Sequence, residues 1–414
     1  VFTYSVSHPT LRSSDKGLVT LGSDYGSVFQ SSVKATDPRG NVQTLSYQGG
    51  NGTVHLRGSS GSFDGGTVAS RKFLESLNLP ILETDFKGNK TSFEWDTSRR
   101  LLLKTIRAAN TPLAQTVQTQ WHPQFRLPTL ITEVGRAVAY AYDSLGNKLS
   151  ETISDTGGGI SNGVARTTSW TYHASGLVAT ETAPNGAVTS FAYDSLSNLT
   201  SSVNALGQTE AFTHNAAGQV LTHTATTGLV TNYTYDARGR VLSMTRAGLV
   251  TTLTYRPTGQ VATAAMPHGH VITYTYDAAQ RLNGWSDNRG ASATYTLDGM
   301  GNRVTESITD AQGQTAWKVA RTINSLNRVE TITAGGVGDT SASISYNYDA
   351  NGDLIRSTET VSGNSTALGI DVLRRVSSIT SAQNASAALE YNALDAVTKA
   401  TDFKSVATNY TRDA

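Results

Sequence analysis

The chain has 414 residues, no cysteine, 33 Lys and Arg against 32 Asp and Glu, and a formal charge of +1. That balance leaves no electrostatic footprint for nucleic acid or an anionic membrane, and no run approaches the ~20 apolar residues of a membrane span. Missing cysteines exclude disulfide frameworks, thiol catalysis and cysteine-ligated metal centres. With 38% hydrophobic residues, 16% charged residues and 38 glycines, the composition is that of an all-β protein with many turns. The opening VFTYSVSHPTLRSSD has neither the charged start nor the apolar run of a signal peptide.

In chain order, residues 1–58 read as N-terminal strands with a first repeat-like unit at Tyr47. Residues 59–82 read as an interruption: a Gly/Ser linker at Ser59–Gly66, then a short helix over Ser70–Asn78 that stops before Pro80. From 83 to 414 an iterated unit of about 21 residues replaces any count of domains by length. FAYDSLSNL (191–199) recurs as FTHNAAGQV, YTYDARGRV, LTYRPTGQV and YTYDAAQRL. The second aromatic marks each unit: Trp95, Trp121, Tyr142, Tyr172, Tyr193, His214, Tyr235, Tyr255, Tyr276, Leu297, Ile323, Tyr348, Ile370, Tyr391 and Arg412. A glycine stands seven residues before most marks, among them Gly88, Gly186, Gly228 and Gly290.

Residues 228–248 show what one unit does. Val230 to Tyr235 is β-branched and aromatic, and Tyr233 and Tyr235, two apart, share a face. Asp236-Ala-Arg-Gly239 has Asp at the first and Gly at the fourth position of a type I turn, and Val241 to Arg246 returns as a second strand. Each unit is therefore expected to be one antiparallel hairpin. Three units are longer, with extra residues at Ser154–Gly163, Thr309–Ala316 and Ala334–Thr340, all expected as long loops on one rim of the sheet.

These residues resemble the YD-repeat family of bacterial Rhs proteins, Tc toxin C components and teneurins. The signature Tyr-x-Tyr-Asp-x-x-Gly-x-Val/Leu stands here as Tyr233-Thr-Tyr235-Asp236-Ala-Arg-Gly239-Arg-Val241. Its repeated residues are Tyr142, Asp143 and Gly146, then Tyr193 and Asp194, then Tyr235, Asp236 and Gly239, then Tyr276 and Asp277, then Tyr348, Asp349 and Gly352. The resemblance covers roughly residues 37–414 with gaps. It implies an all-β fold of tandem hairpins in one continuous curled sheet, forming a hollow shell or part of one. It further implies a structural shell that sequesters the C-terminal toxin domain of a secreted bacterial polymorphic toxin. The implied partners are that toxin domain, other parts of the shell and the secretion apparatus, with export by a dedicated bacterial system. The chain departs from the family at its end: TNYTRDA reaches Asp413 with no return strand, and no DPxGL-type closing segment follows. A truncated shell fragment is the expectation. Absent cysteines weigh against a teneurin.

Chemical motifs are weak beside this. Gly159-Ile-Ser161-Asn-Gly163 spells a nucleophile elbow but lacks the strand before it and the helix after it. His268-Gly-His270 would set two imidazoles on one face of a strand, with no third metal ligand nearby. The aspartates lie ~21 residues apart, whereas calcium loops gather their oxygens within one segment. The expectation is no enzyme, no cofactor and no metal. The alternative function is an adhesion or carbohydrate-binding module using the tyrosines or the long-loop rim. A β-propeller would need a 42-residue period, which the sequence lacks. About 30 strands at ~4.8 Å predict a sheet on the order of 150 Å wide and a ring about 45 Å across.

Overall fold

The computed structural model describes residues 3–7, 29–36, 42–50, 53–60, 68–74, 77–157, 164–336 and 342–411. They form 35 strands, from β1 (Thr3–Ser7) to β35 (Ala407–Asn409), in one sheet. Every strand pairs antiparallel with its neighbours in sequence, as β19 (Val230–Tyr235) does with β20 (Val241–Arg246). The all-β meander expected from the repeat is the fold. Among the described residues all strands belong to one sheet and few side chains on either face are buried, as in a single layer with neither face covered.

The hairpin has one recurring construction. Thr234 pairs with Ser243 but Tyr235 pairs with Val241, so the register slips by one residue at the mark. Gly239 N donates to Asp236 O and Asp236 N donates to Arg240 O, both at 2.9 Å. A type I turn followed by a left-handed residue and a bulge makes this geometry, and it matches the right-handed twist of paired strands. The same slip occurs at Tyr47, Trp95, Tyr142, Tyr193, Tyr276, Tyr348 and Tyr391.

Three expectations need correction. The short helix expected over Ser70–Asn78 is not found in its described part: Val68–Leu74 is strand β5, paired with β6 (Leu79–Asp85), Phe73 carries the register slip of a mark, and 75–76 lie outside the described residues. The segment SRKFLESLN favours helix locally, but strand edges on both sides offer its backbone a ladder, and tertiary pairing overrides propensity. Residues 59–82 are therefore no interruption of the repeat over their described part: Ser59 and Ser60 end a strand, while 61–67 lie outside the described residues. Thr309–Ala316 is not a long loop either. Asp310–Gly313 is a tight turn, and the added residues lengthen the strands Arg303–Thr309 and Thr315–Ile323. In the other two insertions the strands run on to Asp155 and Gly335, and 158–163 and 337–341 lie outside the described residues.

The sheet has two rims. Turns that follow the marks form an aspartate rim, and turns that precede the first strand of each unit form a glycine rim. The glycine-rim turns at 85–89 and 107–115 meet the aspartate-rim turns at 349–353, 371–375 and 392–396. The sheet thus coils past its own start instead of closing strand to strand. From β7 (Lys90–Asp96) to β29 (Ala342–Tyr348), 23 strands make one turn, about 110 Å around and about 35 Å across at ~4.8 Å per strand. The ring is narrower than expected because the 35 strands make about one and a half turns.

Burial follows this architecture. Few side chains are fully buried, and Ala108, Ala109, Gln115, Asn351 and Leu373 among them lie where rim meets rim. The nearest thing to a core is the seam.

Candidate functional surface: aspartate turns, tyrosine ladder and seam

At each aspartate turn the carboxylate replaces solvent for backbone donors that the tight bend leaves unpaired. Asp236 Oδ1 accepts from Arg238 N at 2.9 Å and Arg240 N at 3.0 Å, and Oδ2 accepts from Arg240 Nε at 2.7 Å. Asp143 is held alike by Leu145 N, Asn147 N and Asn147 Nδ2, at 2.9, 2.9 and 2.8 Å. Asp194 takes Leu196 N, Asn198 N and Asn198 Nδ2, each at 2.9 Å. Asp277 accepts from Arg281 N at 2.8 Å and Arg281 Nε at 2.7 Å. The side-chain donor four residues on holds the Asp143, Asp194 and Asp236 carboxyls below the usual carboxylate range. The Arg281 backbone N–H is the main cause at Asp277. Asn215, Asn324 and Asn392 fill the same place with Oδ1. These carboxylates are occupied as turn caps.

The left-handed residue of each turn explains where glycine is needed. Gly239 has φ +78°, and an added Cβ would sit 3.0 Å from Gln219 Nε2. Gly352 has φ +78°, and the Arg328 guanidinium lies where its Cβ would be. Gly146 has φ +88°. Ser197 (φ +68°) and Gln280 (φ +64°) take the same conformation in the Tyr193 and Tyr276 units without the signature glycine.

The marks form a ladder between hairpins. Tyr235 Oη donates to Val220 O at 2.7 Å, the first residue of the previous return strand. Tyr142, Tyr276 and Tyr348 do the same to Pro128 O, Val261 O and Val329 O, at 2.9, 2.9 and 2.7 Å. Trp95 and Trp121 serve with Nε1, to Pro80 O and Leu102 O at 2.7 and 2.8 Å. Burial pushes the Tyr142, Tyr235 and Tyr348 hydroxyls above the usual phenol range, so they remain donors. Cations cover the rings: Arg240 lies 4.2 Å over Tyr255 and Arg375 4.5 Å over Tyr391. Tyr193 instead meets the His173 ring edge-on at 5.8 Å.

The seam carries the long-range contacts. Lys87 Nζ lies 3.0 Å from Asp349 Oδ2, and Asn351 Nδ2 donates to Asp85 Oδ2 at 2.7 Å. Asp395 receives Arg107 at 3.2 Å, Gln115 at 2.8 Å and Arg375 at 2.9 Å. A cavity of about 160 Å³ between Asp85, Arg107, Ala108, Leu373 and Arg374 lies on the same line. Asp349 is the one signature residue drawn into this contact. No sequence pattern points to the pairing of Lys87 with Asp349 or of Arg107 with Asp395, because 262 and 288 residues separate the paired groups.

The remaining motifs take ordinary places. His268 sits in the turn Pro267–Gly269 with φ +66°, not on a strand, and His270 Nε2 lies 3.0 Å from Asp287 Oδ2. Among the described residues no three His, Asp or Glu gather as a metal site. Ser161 and Arg412 lie outside the described residues.

The RHS Repeat family model matches residues 166–209 and 214–251. No curated protein matches the sequence. The fold is similar to that of a TcdB2–TccC3 complex (TM-score 0.54, 14% identity, 90% of this chain, 25% of that one). It is similar to TcdB2–TccC3 without its hypervariable C-terminal region (0.54, 13%, 91% and 27%). It is also similar to the Photorhabdus luminescens Tc holotoxin pore (0.51, 14%, 90% and 24%). The chain spans about a quarter of each of those chains. Hairpin construction and repeat-model match together identify Rhs-type repeats at residues 166–209 and 214–251, and the sheet as a whole is similar in fold to those complexes.

Proposed function

We propose that this chain is wall material of a hollow shell that sequesters a polypeptide cargo, a toxic domain of the same protein, until delivery outside the producing cell. The wall does no chemistry. The observation that carries this reading is the seam: a one-layer sheet that returns on itself at Lys87–Asp349 and Asn351–Asp85 bounds a space. The likeness to TcdB2–TccC3 supports it. The hydroxyls of the mark tyrosines, Tyr142, Tyr235, Tyr276 and Tyr348 among them, are spent on the ladder and are not free for a sugar.

The full gene product tests the proposal. Limited proteolysis should leave a domain encoded beyond Ala414 intact while the coil is closed, and cut it once Lys87→Glu and Asn351→Asp open the seam by setting like charges against Asp349 and Asp85. Equal cutting in both proteins, or a gene that encodes no domain after the repeats, would overturn the cargo role.

A further inference from the structure

The residue two places after the turn Asp is buried in some units of this chain and exposed in others. At Asn351 and Leu373 it is 2% and 7% exposed. At Leu145 and Leu196 it is 81% and 65% exposed. The turns themselves are alike: Leu145, Leu196 and Leu373 each donate their backbone N–H to the turn Asp Oδ1 at 2.9 Å. Nothing local separates a buried tip from an exposed one. The difference is what lies opposite, because a glycine rim carrying Asp85, Arg107 and Ala108 covers Leu373.

We propose that the aspartate rim at Leu145 and Leu196 is a docking edge whose occupant is the glycine rim of another coil of the same repeat sheet, which for this chain alone in solution is a second copy. Single exposed leucines are ordinary on protein surfaces. These two are set apart because the same position in the same molecule is closed off by that kind of rim.

The chain also carries the complementary edge. Around Gly186, Gly207 and Gly228 on the glycine rim, the space a Cβ would occupy has no atom within 4 Å. Leu206, at the tip of the Asn204–Gly207 turn, is 83% exposed. It offers an apolar contact to a facing leucine tip. Since the two edges differ, the contact is head to tail, and copies add in a row instead of stopping at a two-fold dimer.

Sedimentation velocity over a rising concentration series tests this. The wild-type protein should pass from monomer to progressively larger species without a dimer plateau. Leu145→Asp with Leu196→Asp should weaken association at least about tenfold, and Leu206→Asp on the other edge should do the same. A mixture of the two variants retains one good edge of each kind and should form a 1:1 complex that grows no further. Circular dichroism and urea midpoints of the variants should match the wild type, since all three side chains are exposed. A wild type that stays monomeric throughout, or association indifferent to these substitutions, would overturn the docking edge without touching the cargo reading.

Discussion

Lys87 Nζ and Asp349 Oδ2 stand 3.0 Å apart although 262 residues separate them in sequence. Lys87 belongs to a glycine-rim turn and Asp349 to an aspartate-rim turn, so the pair records one circuit of the coil. The contact gives a direct check on the architecture. The chain has no native cysteine, so Lys87→Cys with Asp349→Cys can be joined by a short bismaleimide without competing thiols. Joining should give one species of altered mobility on a denaturing gel, formed in native buffer and lost in urea. Equal yield in both conditions would count against the coil.

Acid should loosen the seam before it unfolds the hairpins. Burial alone would raise the Asp349 carboxyl, but the Lys87 ammonium and backbone donors outweigh it and hold the group below its ordinary range. Asp395 follows the same balance, with Gln115 and Arg107 opposing burial. A carboxylate with a depressed folded-state value stabilises fully above its unfolded value of about 4 and loses that contribution as pH falls through the folded value. X-ray scattering should therefore show the radius of gyration rising below about pH 4 while far-ultraviolet dichroism keeps its β signal. High salt near neutral pH should weaken the exposed Arg107–Asp395 pair and spare the buried Asn351 contact.

Removing one rung of the ladder should act across hairpins. Tyr235→Phe deletes the donor to Val220 O, at roughly 0.5–1.5 kcal/mol of net hydrogen bonding. Urea unfolding should register this loss, and amide exchange should quicken in Val220–Thr224 and Val230–Tyr235. Tyr233→Phe, one pleat away from the mark, is the control and should cost less. Equal losses would mean that the Tyr235 bond to Val220 O carries no special weight, and no loss at Tyr235 would mean that ring packing carries the rung.

Turn chemistry predicts an order of severity. Asp236→Asn should be tolerated better than Asp236→Ala, because an amide oxygen still accepts from Arg238 N and Arg240 N, as Asn215 Oδ1 does from Ala217 N and Gln219 N. Gly239→Ala should cost about 1–2 kcal/mol through its left-handed backbone, with the Gln219 amide displaced as well. Ser197→Gly should run the other way and raise the urea midpoint. Stability in a repeat array is a sum of local and nearest-neighbour terms, so exchange in Gly239→Ala should rise around His214, Tyr235 and Tyr255 and stay unchanged near Tyr391. Uniform loss along the chain would contradict that picture.

The strand–turn alternation, the caps at Asp143, Asp194, Asp236, Asp277 and Asp349, and the special backbone at Gly146, Gly239 and Gly352 were all legible in the sequence. Period-two patterning and turn chemistry act over a few residues, so the signal and its cause lie in the same short window. The stretch around Phe73 was misread because its helix-forming residues speak locally, while the strand edges that override them belong to neighbouring hairpins. The coil itself had no local signature. Its pitch is the sum of small twists between adjacent strands over 23 strands, and no single unit encodes that sum. Only the accumulated curvature brings Asp85 to Asn351 and Asp395 to Gln115, and decides that Leu373 is buried while Leu145, in the same turn position, meets solvent.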